Sequence, residues 1–139
     1  MKYKINDGFD AMDFARVTEM LGTSFWSPGI SKDEVLKGAE NSALVVGAFD
    51  ENNRQVGYSR VISDKTRFAY ILDVFVDAEC RKHGIGQAMV KHMLDHPDFM
   101  DVYQWVLITK DAHGVYQKLG FKLTERTADW MEIRKCRNR

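Results

Sequence analysis

The sequence predicts an α/β fold with a mixed, mostly antiparallel central sheet flanked by helices, and three observations carry that expectation. Residues 43–49, 56–62 and 68–76 are apolar-rich runs separated by short polar turns, the pattern of an antiparallel meander. Residues 10–21 and 84–94 space their apolar side chains at the helical period. The third run of the meander leads directly into a glycine turn and then a helix, which breaks the hairpin pattern.

In chain order, residues 2–5 read as a short first strand. Ala11, Phe14, Ala15, Thr18 and Leu21 mark one face of a first helix over residues 10–21. An irregular stretch, residues 22–29, carries Phe25, Trp26 and Pro28. Ser31 and Glu34 then form a capping box ahead of Val35, Leu36 and Ala39, which starts a second helix. The turns of the meander are Asp50-Glu51-Asn52-Asn53 and Ser63-Asp64-Lys65. Residues 84–94 form the next helix, with Pro97 just beyond its end. Residues 104–108 read as a buried strand and residues 112–119 as a helix closed by Gly120. Residues 121–123 and 130–134 are expected to make a closing pair of strands.

At 139 residues the chain fits one domain, 1–139, long enough to bury a core. Hydrophobic residues are 45% and charged residues 29%, a balance that excludes a disordered chain. Lys plus Arg and Asp plus Glu number 20 each, so no excess of positive charge favours nucleic acid. The N-terminal residues do not read as a secretory signal, and no run reaches the roughly 18 apolar residues of a spanning helix. A cytoplasmic location without a membrane is expected. Cys80 and Cys136 lie too far apart for a disulfide framework or a zinc site, so both read as reduced thiols and no metal is expected.

The segment Arg81-Lys82-His83-Gly84-Ile85-Gly86 carries the chemistry. The first amides of a helix offer free N–H groups and the positive end of its dipole, which suits a pyrophosphate. Gly84 and Gly86 permit close approach to the backbone, and Arg81, Lys82 and His83 add charge or donors. By itself a basic glycine turn is better explained as a helix start. Its place between the strand Tyr70-Ile71-Leu72-Asp73-Val74-Phe75-Val76 and a helix is the setting a phosphate loop requires. It lacks both the Lys-Ser/Thr of a nucleotide-hydrolysing loop and the third glycine of a dinucleotide fingerprint.

Arg81, Gly84 and Gly86 after Phe75-Val76 resemble the Arg/Gln-x-x-Gly-x-Gly/Ala signature of the GNAT superfamily of N-acetyltransferases. A second block, Tyr116-Gln117-Lys118-Leu119-Gly120-Phe121 after the strand Trp105-Val106-Leu107-Ile108, is similar to that family's Tyr-x-Lys-Leu-Gly-Phe. The resemblance runs from Lys2 to about Trp130. It implies the GNAT fold and an acetyl-CoA-dependent N-acetyltransferase that moves an acetyl group directly to a small-molecule amine, or to a protein amine. A coenzyme A sensor or inactive relative is the alternative, and a homodimer stays open.

By this resemblance, backbone groups of residues 81–87, from Arg81 through Ile85 to Gln87, bind the pyrophosphate. The backbone of Val74, Phe75 and Val76 pairs with the pantetheine arm, and an amide of Val74 or Phe75 stabilises the oxyanion. Thr109 stands where many relatives carry a cofactor-contacting asparagine. Tyr116 matches the family's tyrosine, which also contacts the cofactor and protonates the leaving thiolate; its other reading is a core aromatic. For the base, Asp73 is the first candidate, because an acid inside an apolar strand must be paired or useful. Its other reading is an ion pair with an arginine such as Arg60. Asp111 and His113 stand in reserve, Asp111 reading first as a helix cap. Phe25, Trp26, Tyr58, Arg60 and Tyr70 are candidates to line the acceptor pocket, each also readable as packing.

Overall fold

The structure is a computed structural model in which residues 1–137 are described. The chain divides into two compact units, Met1–Ile108 and Thr109–Arg139. The first carries β1 (Tyr3–Asp7), α1 (Phe14–Gly22), α2 (Lys32–Glu40), β2 (Leu44–Asp50), β3 (Gln55–Ser63), β4 (Phe68–Val76), α3 (Ile85–Leu94) and β5 (Gln104–Leu107). Its five strands lie in the order β1-β2-β3-β4-β5. The first four pair antiparallel, and β5 joins β4 in parallel.

The first helix departs from its expected bounds for a local reason. A short 3-10 turn, Phe9–Ala11, is followed by an extended Met12, and α1 begins only after Asp13, whose carboxylate accepts from the Arg16 N–H at 3.1 Å. An aspartate satisfies a free helix-end amide better from outside the helix than within it. The buried face is Phe14, Val17, Met20 and Leu21, rotated from the Ala15 and Thr18 stripe expected. The second helix begins where its capping box predicts: the Ser31 hydroxyl accepts from the Glu34 N–H at 3.2 Å.

Successive β3 residues serve opposite faces of the sheet, as the pleat dictates. Tyr58 joins the buried cluster of Phe14, Val17, Met20, Leu21, Val35, Ala39 and Phe75 beneath α1 and α2. Gly57 and Ser59 turn toward Met89 and Met93 of α3, whose Ile85, Met89, Val90 and Met93 are buried. Two cores on the two faces of one sheet give the three-layer α/β arrangement.

The second unit holds α4 (His113–Gln117), followed by a turn to Gly120 at φ +100°, and a 3-10 turn at Thr127–Asp129. The helix ends earlier than the residues 112–119 expected, because the Leu119, Gly120 and Phe121 amides bond back in a closing turn. The closing strands expected at 121–123 and 130–134 are not formed. Alternation makes a strand only where a ladder is available, and here Met131 and Ile133 are 95% and 92% exposed.

Candidate active site

The site is built around β4, whose register slips once. Tyr58 of β3 faces Phe75 and Arg60 faces Leu72, so Ser59 alone stands opposite Asp73 and Val74. That is a β-bulge, and Asp73 within it lies in the left-handed region at φ +58°. The parallel ladder with β5 ends at Ile71–Leu107, so the rest of β4 has an edge with no strand against it in this unit. The Asp77 N–H donates to the Val56 carbonyl at 2.8 Å. By the alternation of an antiparallel ladder, Val74 and Val76 then direct their backbone groups to the open edge. The Val76 carbonyl there accepts from Arg81 Nε at 3.0 Å.

Beyond β4 the chain turns through Lys82 at φ +68° and Gly84 at φ +75° before entering α3. The first intrahelical bond runs from the Ala88 N–H to the Gly84 carbonyl at 2.9 Å. The amides of Ile85, Gly86 and Gln87 are therefore those a helix leaves without an internal partner. A side chain at Gly84 would meet no atom within 4 Å, so the turn faces open space there. Gly86 is the second residue of α3. A Cβ on it would touch Val74 Cγ1 and Val76 Cγ2 at 3.7 Å, so its bare face rests on β4 while its amide stays in the first turn. The Arg81 guanidinium lies over the Phe75 ring at 5.4 Å. A turn with two left-handed residues, three helix-end amides and basic neighbours fits a pyrophosphate, and the open β4 edge fits an amide-bearing arm.

A second cluster adjoins the first through Phe75. Asp73 accepts from Arg60 Nε at 2.7 Å through one oxygen and from Trp26 Nε1 at 3.0 Å through the other. Arg60 also donates to the Gly38 carbonyl at 3.4 Å and the Ser42 hydroxyl at 3.3 Å, which ties it to the end of α2. Trp26 meets Phe75 edge-on at 6.2 Å and Phe25 at 5.0 Å. Both loop aromatics are exposed, Phe25 at 68% and Trp26 at 40%. Tyr58 lies beneath, 1% exposed, and its buried hydroxyl has no hydrogen-bond partner among the described residues. Burial raises its phenol pKa; Arg60 opposes that rise and Asp73 adds to it. Tyr70 is half-buried between Ile62 of β3 and Val106 of β5. The sequence-predicted residues Trp26, Arg60, Asp73, Phe75 and Arg81 thus form one chain of contacts.

In the second unit, Tyr116 sits on α4, half-buried, with its ring edge-on to Phe121 at 6.1 Å. Burial raises its phenol pKa. The Thr109 hydroxyl accepts from the Ala112 N–H at 3.0 Å. Ala112 is the residue at the cap position of α4, so Asp111 does not cap the helix as expected; Thr109, with a side chain that reaches the right amide, serves that end instead. His113 is the exposed first residue of α4.

Sequence reasoning missed a tie that steadies the turn from below. Arg16 on α1 donates through Nε to the Gln55 carbonyl at 3.1 Å and pairs through Nη2 with Asp77, the first residue after β4. The Gln55 side chain in turn accepts from the Asp13 N–H at 2.8 Å. Nothing local marks this tie, since Arg16 and Asp77 stand 61 positions apart.

Residues 41–123 match the family model described as an acetyltransferase (GNAT) domain. The chain is 30% identical over 117 residues to the human Cysteine-rich protein 2-binding protein, with 84% of this chain aligned, and it spans only 14% of that relative's length. A GNAT-family structure from Xanthomonas campestris pv. campestris superposes with a TM-score of 0.89 at 30% identity, over 97% of this chain and 94% of its own. A Clostridium acetobutylicum structure solved with acetyl-CoA shares the fold, with a TM-score of 0.71 at 18% identity over 96% of each chain. On the family match, and on the turn and strand edge that accompany it, the chain belongs to the GNAT family of acetyltransferases.

Proposed function

We propose that the chain is an acetyl-CoA-dependent N-acetyltransferase that passes the acetyl group directly to the amine of a small molecule, with a protein amine as the second acceptor class. The observation that carries this reading is the left-handed turn at Lys82 and Gly84, set at the start of α3 beside the open edge of β4. Because the family match runs over residues 41–123, across both compact units, we treat 1–139 as one catalytic domain. No helix among the described residues is long and apolar enough to cross a membrane, and we propose that the protein works in the cytoplasm.

When bound, acetyl-CoA supplies an activated acetyl thioester. The amides of Ile85, Gly86 and Gln87 hold its pyrophosphate, helped by Lys82, His83 and the part of Arg81 not committed to Val76. Val74 and Val76 offer N–H groups along the strand edge, with Phe75 as the ring that closes this side, and the Val74 amide is the oxyanion donor. Thr109 and Tyr116 complete the cofactor contacts.

On transfer the amine nitrogen would gain the bond to the acetyl carbon that the sulfur loses, and the Tyr116 phenol would give that sulfur its proton. A phenol is protonated at neutral pH, the state an acid must start from, and burial shifts this one further in the same direction. The proton released by the amine would go to Asp73, whose two oxygens each keep an acceptor site beyond the hydrogen bonds from Trp26 and Arg60. Phe25, Trp26, Tyr58, Arg60 and Tyr70 shape the acceptor side.

Calorimetric titration with acetyl-CoA, followed by measurement of free thiol with a panel of amines, tests the proposal. Saturable binding and thiol release that depends on a particular amine are expected. No binding refutes the reading, and binding with no amine-dependent release identifies a coenzyme A binding protein without transfer.

A further inference from the structure

We infer that Asp73 acts through its backbone: its left-handed conformation creates the bulge that sets the far half of β4, and Arg60 and Trp26 are positioning residues that hold it there. An L residue enters the left-handed region at a cost, and aspartate and asparagine enter it more readily than most. In the middle of a strand such a residue inserts one extra position and reverses the facing of everything that follows. The register records that reversal. Ile71 faces Val61 and Phe75 faces Tyr58, so two β4 residues of the same parity lie on opposite faces.

What the reversal arranges is the site itself. It brings Phe75 to the face where Trp26 lies, 6.2 Å away, and beneath Arg81. It also turns the Val74 and Val76 side chains to the bare face of Gly86, where α3 begins. Without the bulge, Val74 would stand opposite Tyr58 and Phe75 would point at α3. The carboxylate is held from two directions, by Arg60 Nε at 2.7 Å from β3 and by Trp26 Nε1 at 3.0 Å from the loop before α2. Arg60 is fixed in turn by Gly38 and Ser42. This geometry is independent of whether Asp73 also takes a proton; only its consequence for acetyl-CoA rests on the function proposed above.

The test is a series at one position, Asp73→Gly, Asp73→Asn and Asp73→Ala, read by melting temperature and by calorimetric affinity for acetyl-CoA. Glycine and alanine both remove the carboxylate, so they differ in backbone freedom alone. Asp73→Gly is expected to melt above Asp73→Ala, although alanine is ordinarily the more favourable residue in ordered structure. Asp73→Ala is expected to weaken acetyl-CoA binding roughly tenfold, because only the bulged fraction of molecules binds. Asp73→Asn and Asp73→Gly should stay within about threefold of wild type, with Asp73→Asn free to lose turnover.

Alanine melting at or above glycine overturns the inference. So does equal affinity loss in all three variants, or wild-type affinity in all three. Failure of the wild-type protein to bind acetyl-CoA refutes the proposed function instead, and the melting order still decides the role of the bulge. Trp26→Phe supplies an independent reading. It should lower the melting temperature of wild type and leave that of the Asp73→Gly background nearly unchanged, and equal effects in the two backgrounds overturn the assignment of Trp26.

Discussion

Gly84→Val separates the strain of the glycine turn from its occupancy by an anion. Gly84 stands at φ +75° with no heavy atom within 4 Å of where a Cβ would lie. The free protein therefore loses only the cost of holding an L residue in the left-handed region, about 1–2 kcal/mol. For a chain of this size that lowers the melting temperature by roughly 3–8 °C. The open space is a different matter when a pyrophosphate fills it, because two added methyl groups then stand among the donors. Wild type at a hundredfold excess of acetyl-CoA over Kd gains about 2.7 kcal/mol of stability. Gly84→Val is expected to show no ligand-induced rise in melting temperature. Gly84→Asn is the control, since asparagine tolerates the left-handed region: it should melt close to wild type and still respond poorly to acetyl-CoA. A ligand-induced shift of wild-type size in both variants would refute the assignment of this turn to the pyrophosphate.

Tyr116→Phe should reduce kcat on the order of 100-fold with acetyl-CoA affinity within about twofold, as steady-state kinetics and calorimetry would show. Burial raises this phenol, so it loses its proton only as pH rises beyond the ordinary tyrosine range. The alkaline fall in kcat is therefore expected above about pH 10, and a fall near neutrality that persists in the variant would assign the acid elsewhere. Tyr58→Phe removes a buried hydroxyl that has no partner among the described residues. Denaturant unfolding should find the variant equal to wild type or more stable by about 1 kcal/mol, whereas a loss of that size would mean the hydroxyl has a partner in solution.

How far the sequence could be read depended on whether a signal was local. The bounds of β4, residues 68–76, follow from an apolar-rich run between polar turns, and the start of α2 follows from Ser31 and Glu34, three positions apart. The turn at 81–84 was legible because glycine between a strand and a helix has few uses. The bulge was not. Asp73 stood out as an acid in an apolar strand, but an inserted residue leaves the hydrophobic pattern intact while it changes which face each side chain meets. Nor could Arg16 be tied to Asp77, since a contact over 61 positions depends on how α1 lies across the sheet. The closing strands failed for the opposite reason: residues 130–134 alternate as a strand should, yet a strand forms only where another offers its backbone.

Under the proposed function, the contacts around Phe75 would link the amine acceptor to acetyl-CoA. Arg81 lies on one side of that ring and Trp26 on another, and Trp26 holds Asp73, which Arg60 ties to α2. The links through Trp26 are modest, an edge-on ring pair and an exposed hydrogen bond of about 1 kcal/mol, while the Arg60–Asp73 ion pair at 2.7 Å is the firm end of the chain. They are in series, however, and a packed ring such as Phe75 cannot move for one neighbour without disturbing the other. A change at Trp26 made to alter the choice of amine should therefore also change acetyl-CoA affinity, severalfold rather than a hundredfold. Reciprocity follows from thermodynamics: if the acceptor loop changes the affinity of the turn, occupancy of the turn changes the affinity for the amine by the same factor. Phe75→Leu, which keeps an apolar side chain and removes both ring contacts, should reduce that coupling while each ligand still binds alone.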